Sequence, residues 1–173
     1  MLARPRDLPA LLADGALQLA LLSSELLRPG QDELVALLDT GLFPLLVGLV
    51  GRDRGGAAGP VARWLHDGRV GGQDLDLARR LLARFGYHGP VRPINGTAEA
   101  WIGCGALDLA VDTWSTGATA RANGLSLLRA LDEATLVLAA HGRPPLPDTA
   151  ARLAADLRAW LTGTLVGSGA QAT

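Results

Sequence analysis

The segment AEAWIGCGALDLAVDTW, residues 98–114, is almost entirely apolar and yet carries Asp108 and Asp112 four positions apart. On an α-helix, residues four apart lie on one face, so this spacing places both carboxylates in one stripe beside Trp101. Apolar residues flank that stripe on both sides, whereas an ordinary surface helix carries polar residues opposite its apolar stripe. The pattern therefore predicts a central helix, packed on two sides, over residues 98–114.

The composition of the whole chain favours helices as well. Leu and Ala make up more than a third of the 173 residues, and aromatic residues only 4%. Leu and Ala are strong helix formers, while the scarce β-branched residues favour strands. We therefore predict an all-α fold: one compact domain of six or seven helices, orthogonal or bundle-like, with residues 98–114 as its central buried helix.

Proline and glycine divide the chain into these helices. The predicted helices cover residues 8–27, 32–50, 60–67, 73–85, 98–114, 118–140 and 148–165. The segment 73–85 is expected to be an amphipathic surface helix, because its apolar residues share one face and Gly86 can cap its end. We expect a single helical domain over residues 1–165 and a disordered tail over residues 166–173.

Charge and residue usage exclude several classes of function. Nucleic-acid binding needs a basic face, and a net charge of −1 gives no support for one. The absence of Lys excludes Schiff-base chemistry. A single cysteine forbids an intrachain disulfide, so we expect a cytoplasmic protein. The bias toward Ala, Arg, Gly and Leu is typical of a GC-rich bacterial genome, so we expect a bacterial source. The apolar run over residues 34–51 is shorter than the ~20 residues of a membrane span and contains Asp39 and Pro44, so we expect it in the core.

The acidic stripe is the strongest candidate for a site. Two carboxylates that share a partly buried pocket push one pKa upward, which leaves a proton donor beside a proton acceptor. His88 lies in the loop before the predicted helix and could act as a proton shuttle. The predicted catalytic residues are Asp108, Asp112 and His88, and the predicted substrate-binding residues are Trp101, Trp114, Arg92, Tyr87 and Cys104.

Metals and cofactors are not expected. The three histidines share no helix at ligand spacing, and the sequence has no CxxC or HExxH pattern. These observations favour a small cofactor-independent enzyme of cyclase, isomerase or lyase type, acting by acid–base chemistry on an apolar small molecule in bacterial specialised metabolism.

Two other classes stay open. One is a non-catalytic helical module that binds a partner or self-associates as a homodimer through its apolar 34–50 segment. The other is a carrier or sensor that binds a small molecule without chemistry. In a further interpretation, each aspartate pairs with an arginine such as Arg92 or Arg121 and only stabilises the fold.

Overall fold

The computed structural model describes residues 3–27, 33–52, 65–66, 68–142 and 148–168, the last five without their side chains. In chain order the elements are α1 (Leu8–Ala13), β1 (Leu19–Ser23), β2 (Leu34–Asp39), β3 (Leu45–Arg52), β4 (Val70–Gly72), α2 (Leu75–Ala83), β5 (Val91–Pro93), α3 (Ala98–Gly103), β6 (Leu109–Trp114), α4 (Ala118–Ala122), β7 (Leu125–Ala134), β8 (Leu136–His141) and α5 (Asp148–Ser168). The expectation of an all-α fold is wrong, because the described residues form two β-sheets as well as helices.

The chain divides into two compact units: residues 1–44 together with 135–173, and residues 45–134. We call them unit 1 and unit 2. The expectation of one domain over residues 1–165 with a tail beyond it stays a prediction, although the helical content expected of that domain is wrong.

Unit 1 is built on a three-stranded antiparallel sheet with the order β1-β8-β2. Its buried cluster joins Leu12 of α1 to Leu22 of β1 and to Val137 and Ala139 of β8. Helix α5 packs near β2, and its Arg158 donates a hydrogen bond to the Leu37 carbonyl at 3.5 Å. The helix expected over 148–165 is confirmed, but the one expected over 8–27 ends at residue 13 and gives way to β1.

Asp39 ends β2 in unit 1 and accepts two hydrogen bonds on one oxygen. The Gly41 N–H donates to Asp39 Oδ1 at 2.9 Å, and the Thr135 hydroxyl donates to the same atom at 2.7 Å. Donors favour the ionised carboxylate, so the Gly41 amide first, and then Thr135, lower the pKa of Asp39 below its ordinary value of 3.8, against a small opposing effect of burial.

Replacing Thr135 with valine should raise the pKa of Asp39 toward 3.8. Because the folded-state pKa lies below the unfolded one, the stabilisation is fully present above the unfolded pKa and is lost as the pH falls through the folded pKa. Thr135→Val should therefore destabilise the protein near neutral pH, with a penalty that shrinks in acid. Carboxyl NMR titration and urea unfolding at several pH values measure both effects. Thr113→Val, at an exposed strand position, is the control, and an unchanged Asp39 titration in Thr135→Val would contradict the expectation.

Unit 2 is built on a five-stranded mixed sheet with the order β5-β4-β6-β3-β7. Strand β4 runs parallel to both β5 and β6. Strand β3 runs antiparallel to β6 and β7. The carboxyl ends of β4, β5 and β6 therefore lie at one edge of the sheet.

Alternation along β6 separates the two faces of this sheet. Leu109 and Val111 belong to the buried cluster that includes α2, whereas Ala110 belongs to the cluster that includes α3 and α4. Successive strand residues point to opposite faces, so unit 2 has helices on both sides of its sheet. A sheet covered on both faces buries its central strands along their whole length.

Helix α2 (Leu75–Ala83) lies within the expected 73–85 segment. Asp74 caps its start by accepting hydrogen bonds from the backbone N–H groups of Asp76 and Leu77. Leu77, Leu81 and neighbouring apolar residues of the same face are buried. The structure therefore confirms the amphipathic helix expected in this segment.

The central helix expected over residues 98–114 is wrong. Helix α3 stops at Gly103, Gly105 takes a left-handed φ of +74°, and the chain then enters β6. The helices expected over 32–50 and 118–140 likewise contain strands: β2 and β3 in the first, β7 and β8 in the second after the short α4. An apolar run buried in a sheet cannot be told from a buried helix by periodicity alone.

Two expectations fall on residues outside the described ranges. They are the helix over residues 60–67, apart from residues 65–66, and the part of the tail beyond residue 168. Among the helices of the described residues, none is long and apolar enough to cross a bilayer.

Candidate functional site at the carboxyl edge

Three loops lie on the side of the sheet where β4, β5 and β6 end. They are residues 73–74 after β4, 94–97 after β5 and 115–117 after β6, and each leads into a helix. In open α/β sheets, ligands bind outside the carboxyl ends of the parallel strands. We call this side of unit 2 the carboxyl edge and take it as the candidate site.

Hydrogen bonds tie the first two loops together. The Gln73 side chain donates from Nε2 to the Gly96 carbonyl at 2.7 Å, and the Ile94 N–H donates to the Gly72 carbonyl at 3.2 Å. Trp101 of α3 donates from its indole nitrogen to the Asn95 carbonyl at 3.1 Å. These hydrogen bonds fix the backbone of the two loops at the carboxyl edge.

The 115–117 loop, Ser-Thr-Gly, carries the groups that suit an anion. Ser115 and Thr116 are exposed, and Gly117 has a left-handed φ of +66°. The Thr116 hydroxyl accepts from the Ala118 N–H at 3.3 Å, which fixes the turn. Hydroxyl and backbone N–H donors at such turns bind phosphate oxygens.

Arg121 brings a positive charge to this loop. Its guanidinium lies 5.6 Å from the centroid of the Trp114 ring and donates a hydrogen bond to the Thr116 carbonyl. Trp114 itself is half-buried against the cluster that includes α3 and α4. The carboxyl edge thus combines hydroxyls, a turn glycine and a fixed guanidinium, a set that fits phosphate.

The opposite end of β6 holds Asp108, which is paired with Arg69. Asp108 accepts from the Arg69 backbone N–H at 2.9 Å, from Nε at 3.0 Å and from Nη2 at 3.3 Å. The hydrogen bond and the charge of Asp108 together raise the pKa of Arg69. The interpretation of an arginine-paired Asp108 therefore fits, although its partner is Arg69 and not Arg92 or Arg121.

Asp108 and Asp112 do not share a helix face, and that expectation is wrong. Asp108 precedes β6, while Asp112 lies within it opposite Gly48. A strand rises about 3.3 Å per residue, so four positions separate the two Cα atoms by roughly 13 Å instead of one helical turn. The two carboxylates are therefore not a contacting acid–base pair.

The other residues expected in the site are spread over unit 2. Tyr87 and the exposed His88 lie between α2 and β5, at the end of the sheet opposite the carboxyl edge. The Tyr87 hydroxyl donates a hydrogen bond to the Pro90 carbonyl at 2.9 Å, and burial raises the pKa of Tyr87. Arg92 is exposed in β5, and Cys104 is exposed after α3. Trp101 and Trp114 both pack on the buried cluster that includes α3 and α4, and their role in substrate binding stays a prediction.

Sequence reasoning does not predict a site at residues 115–117, because they fall between the helices expected over 98–114 and 118–140. It names Arg121 only as a possible partner of an aspartate. The usable signal was an apolar stretch followed at once by two hydroxyl residues and a glycine. Among the described residues, no group of three or more His, Cys, Asp or Glu side chains could hold a metal ion.

Comparison with known families decides the class of protein. The family model "HisG: ATP phosphoribosyltransferase" matches residues 4–158. The chain belongs to the HisG family. This match spans most of the chain and includes both units.

Two curated relatives carry the same description. The ATP phosphoribosyltransferase of Gemmatimonas aurantiaca is 32% identical over 124 residues, which are 70% of this chain and 42% of that protein. The one from Anaeromyxobacter sp. (strain K) is 33% identical over 122 residues, 70% of this chain and 53% of that protein. The chain thus spans about half the length of the curated relatives it matches.

A solved structure shows the same fold. The Thermotoga maritima structure of an "ATP phosphoribosyl transferase (HisG:HisZ) complex" aligns with a TM-score of 0.75 at 19% identity, over 94% of this chain and 79% of that one. This likeness supports the α/β fold described above and again contradicts the all-α expectation.

These findings correct the functional expectations. The cyclase, isomerase or lyase in specialised metabolism is wrong, because the family is one of phosphoribosyltransferases. The broader expectation of an enzyme agrees with the family. The apolar small-molecule partner is also wrong, since the family's name points to ATP, a polyanion.

Proposed function

We propose that this chain provides the transfer site of an ATP phosphoribosyltransferase, with the phosphoribosyl donor, 5-phosphoribosyl 1-diphosphate, bound at the carboxyl edge. The observation that carries the proposal is the family match over residues 4–158. The geometry supports the location, because the carboxyl ends of parallel strands are the usual ligand side of an α/β sheet.

The donor's phosphate suits the 115–117 loop. A phosphate ester offers several acceptor oxygens and a charge near −2 at neutral pH. The exposed hydroxyls of Ser115 and Thr116 can donate to those oxygens. The loop therefore matches the donor better than it matches an apolar ligand.

The proposed reaction is a displacement at C1 of the donor's ribose. A nucleophilic nitrogen of ATP forms a bond to C1 while the bond from C1 to the diphosphate oxygen breaks. Its electron pair leaves on diphosphate, and the proton released by the adenine passes to water. The products are phosphoribosyl-ATP and diphosphate. Binding of the donor phosphate away from C1 would orient the ribose for this step.

We also propose that the active form includes a second protein chain. The support is the Thermotoga maritima structure, which is a complex of HisG with HisZ. Transfer should then be faster when a HisZ-type subunit is added than with the chain alone. The protein is expected to work in the cytoplasm, in line with its single cysteine.

A transfer assay tests the proposal. The full chain, with and without a HisZ-type subunit, is incubated with ATP and the donor, and anion-exchange chromatography follows phosphoribosyl-ATP and diphosphate. Ser115→Ala should lower the rate at limiting donor about tenfold by removing one hydrogen-bond donor to the charged phosphate. Ser126→Ala, a serine of β7, is the matched control. If neither mixture forms product and calorimetry detects no donor binding, the proposed function is wrong.

A further inference from the structure

The 115–117 loop is held from both sides by side chains that lie outside it. The indole of Trp114 packs so closely under Gly117 that a Cβ added there would overlap the ring atoms Cζ2 and Cε2. Arg121 lies over the same ring at 5.6 Å from its centroid and binds the Thr116 carbonyl. A guanidinium within about 6 Å of an indole face is attracted by it.

The backbone closes this arrangement. The Arg121 N–H donates to the Gly117 carbonyl at 2.9 Å, so the residue that covers the ring also begins the hydrogen bonding of α4. Trp114, the loop and Arg121 thus form one closed unit of eight consecutive residues, which we call the Trp114–Arg121 clamp. A loop fixed in this way loses less conformational entropy when it binds a ligand, which favours binding.

We propose that Arg121, stacked on Trp114, is a positioning residue that holds the 115–117 loop in the shape that binds the donor's phosphate and so sets affinity for the donor. The inference rests on the function proposed above. Its guanidinium reaches the Thr116 carbonyl and the Trp114 ring at the same time, so it can act on the donor through the shape of the loop. Loss of Arg121 should weaken donor binding and leave the affinity for ATP unchanged.

If Arg121 only stabilised the fold, its replacement would have a different effect on donor binding. Arg121 is exposed, and an exposed cation–π pair contributes little to stability. Unit 2 contains a matched pair, in which the guanidinium of Arg129 on β7 lies 5.4 Å from the Phe85 ring centroid. Arg129 is also exposed, but β7 is at the far side of the sheet order from β4 and β5. If such pairs only stabilise the fold, both arginines should behave alike.

The experiment compares Arg121→Gln with Arg129→Gln in the full chain. Calorimetric titration gives the dissociation constant for 5-phosphoribosyl 1-diphosphate, and steady-state kinetics gives KM for donor and for ATP. We expect Arg121→Gln to raise the donor dissociation constant and donor KM about tenfold, with KM for ATP and the melting temperature as in Arg129→Gln. Arg121→Lys, which keeps the charge but lacks the planar guanidinium, should fall between wild type and Arg121→Gln.

Each outcome supports or overturns the proposal. Equal donor affinity in Arg121→Gln and Arg129→Gln overturns the clamp and leaves the proposed function standing. A wild-type chain that binds no donor overturns both. If Arg121→Gln does not fold, Trp114→Phe and Trp114→Leu replace it: the phenyl ring still offers a stacking face, so Trp114→Leu should lose clearly more donor affinity, and an equal loss overturns the proposal.

Discussion

Gly117→Ala should raise the dissociation constant for 5-phosphoribosyl 1-diphosphate by about thirtyfold, the largest effect that we expect on binding. Two costs combine at this position. The left-handed φ of +66° costs a non-glycine residue roughly 1–2 kcal/mol, and the new methyl would overlap the Trp114 ring. Overpacking of this kind costs about 1–3 kcal/mol, and a tenfold change in affinity corresponds to about 1.4 kcal/mol. The 115–117 loop can relieve both costs only by changing its conformation, and the changed loop would bind the donor less well.

Gly124→Ala is the matched control for this change. Gly124 has a nearly identical φ of +69°, but an added Cβ there would meet nothing within 4 Å. Gly124 lies outside the 115–117 loop, so the two variants compare a similar backbone strain inside and outside the proposed binding loop. Isothermal calorimetry measures the wild type and both variants, and equal affinities in Gly117→Ala and Gly124→Ala would contradict the account.

Gly48→Ala should lower the free energy of unfolding by about 2–3 kcal/mol, in the range expected for overpacking. Gly48 lies in β3, which pairs with β6 on one side and β7 on the other. An added Cβ would overlap the end of the Leu127 side chain and lie 2.9 Å from the Arg129 carbonyl oxygen. The leucine can rotate, but the carbonyl belongs to a paired strand, so the sheet itself must shift.

Urea denaturation measures this loss of stability, with Gly103→Ala as its control. Gly103 ends α3, and a Cβ there would meet nothing within 4 Å. At such a position alanine stabilises by about 0.4–1 kcal/mol, through the entropy of the unfolded chain. Unchanged stability in Gly48→Ala would mean that β3 and β7 are not packed as described.

The sequence predicted the elements whose local and global signals agree. The apolar residues of α2 share one face, Gly86 follows its end, and the structure has that helix. Helix α5 begins at Asp148 as expected. In both segments the helical propensity of Leu and Ala and the packing of the fold favour the same state.

The strands could not be predicted in this way. Residues 45–51 are rich in Leu and Val because β3 is covered on both faces, and a strand buried on both faces has no alternation to display. Burial of β3 in the sheet outweighs the helical propensity of its leucines. Glycines were the overlooked evidence, since Gly105 and Gly124 take left-handed turns that end α3 and α4 just before β6 and β7.

The candidate site was missed for the same reason. With residues 98–114 taken as one helix, Asp108 and Asp112 became neighbours, although β6 carries them to different positions along a strand. The groups at the carboxyl edge come from three separate loops, and only the parallel order of β5, β4 and β6 places them on one side of the sheet. That order depends on long-range pairing, which single-sequence periodicity does not report.

The central claim is that the donor's phosphate binds at the 115–117 loop, and backbone NMR tests it most directly. The ¹⁵N-labelled chain is titrated with 5-phosphoribosyl 1-diphosphate while the amide resonances of unit 2 are followed. The account predicts saturable shifts for Thr116, Gly117 and Ala118, with little change at Arg69 and Asp108 at the opposite end of β6. Shifts concentrated at Arg69 and Asp108, with the 115–117 loop unmoved at saturation, would contradict it.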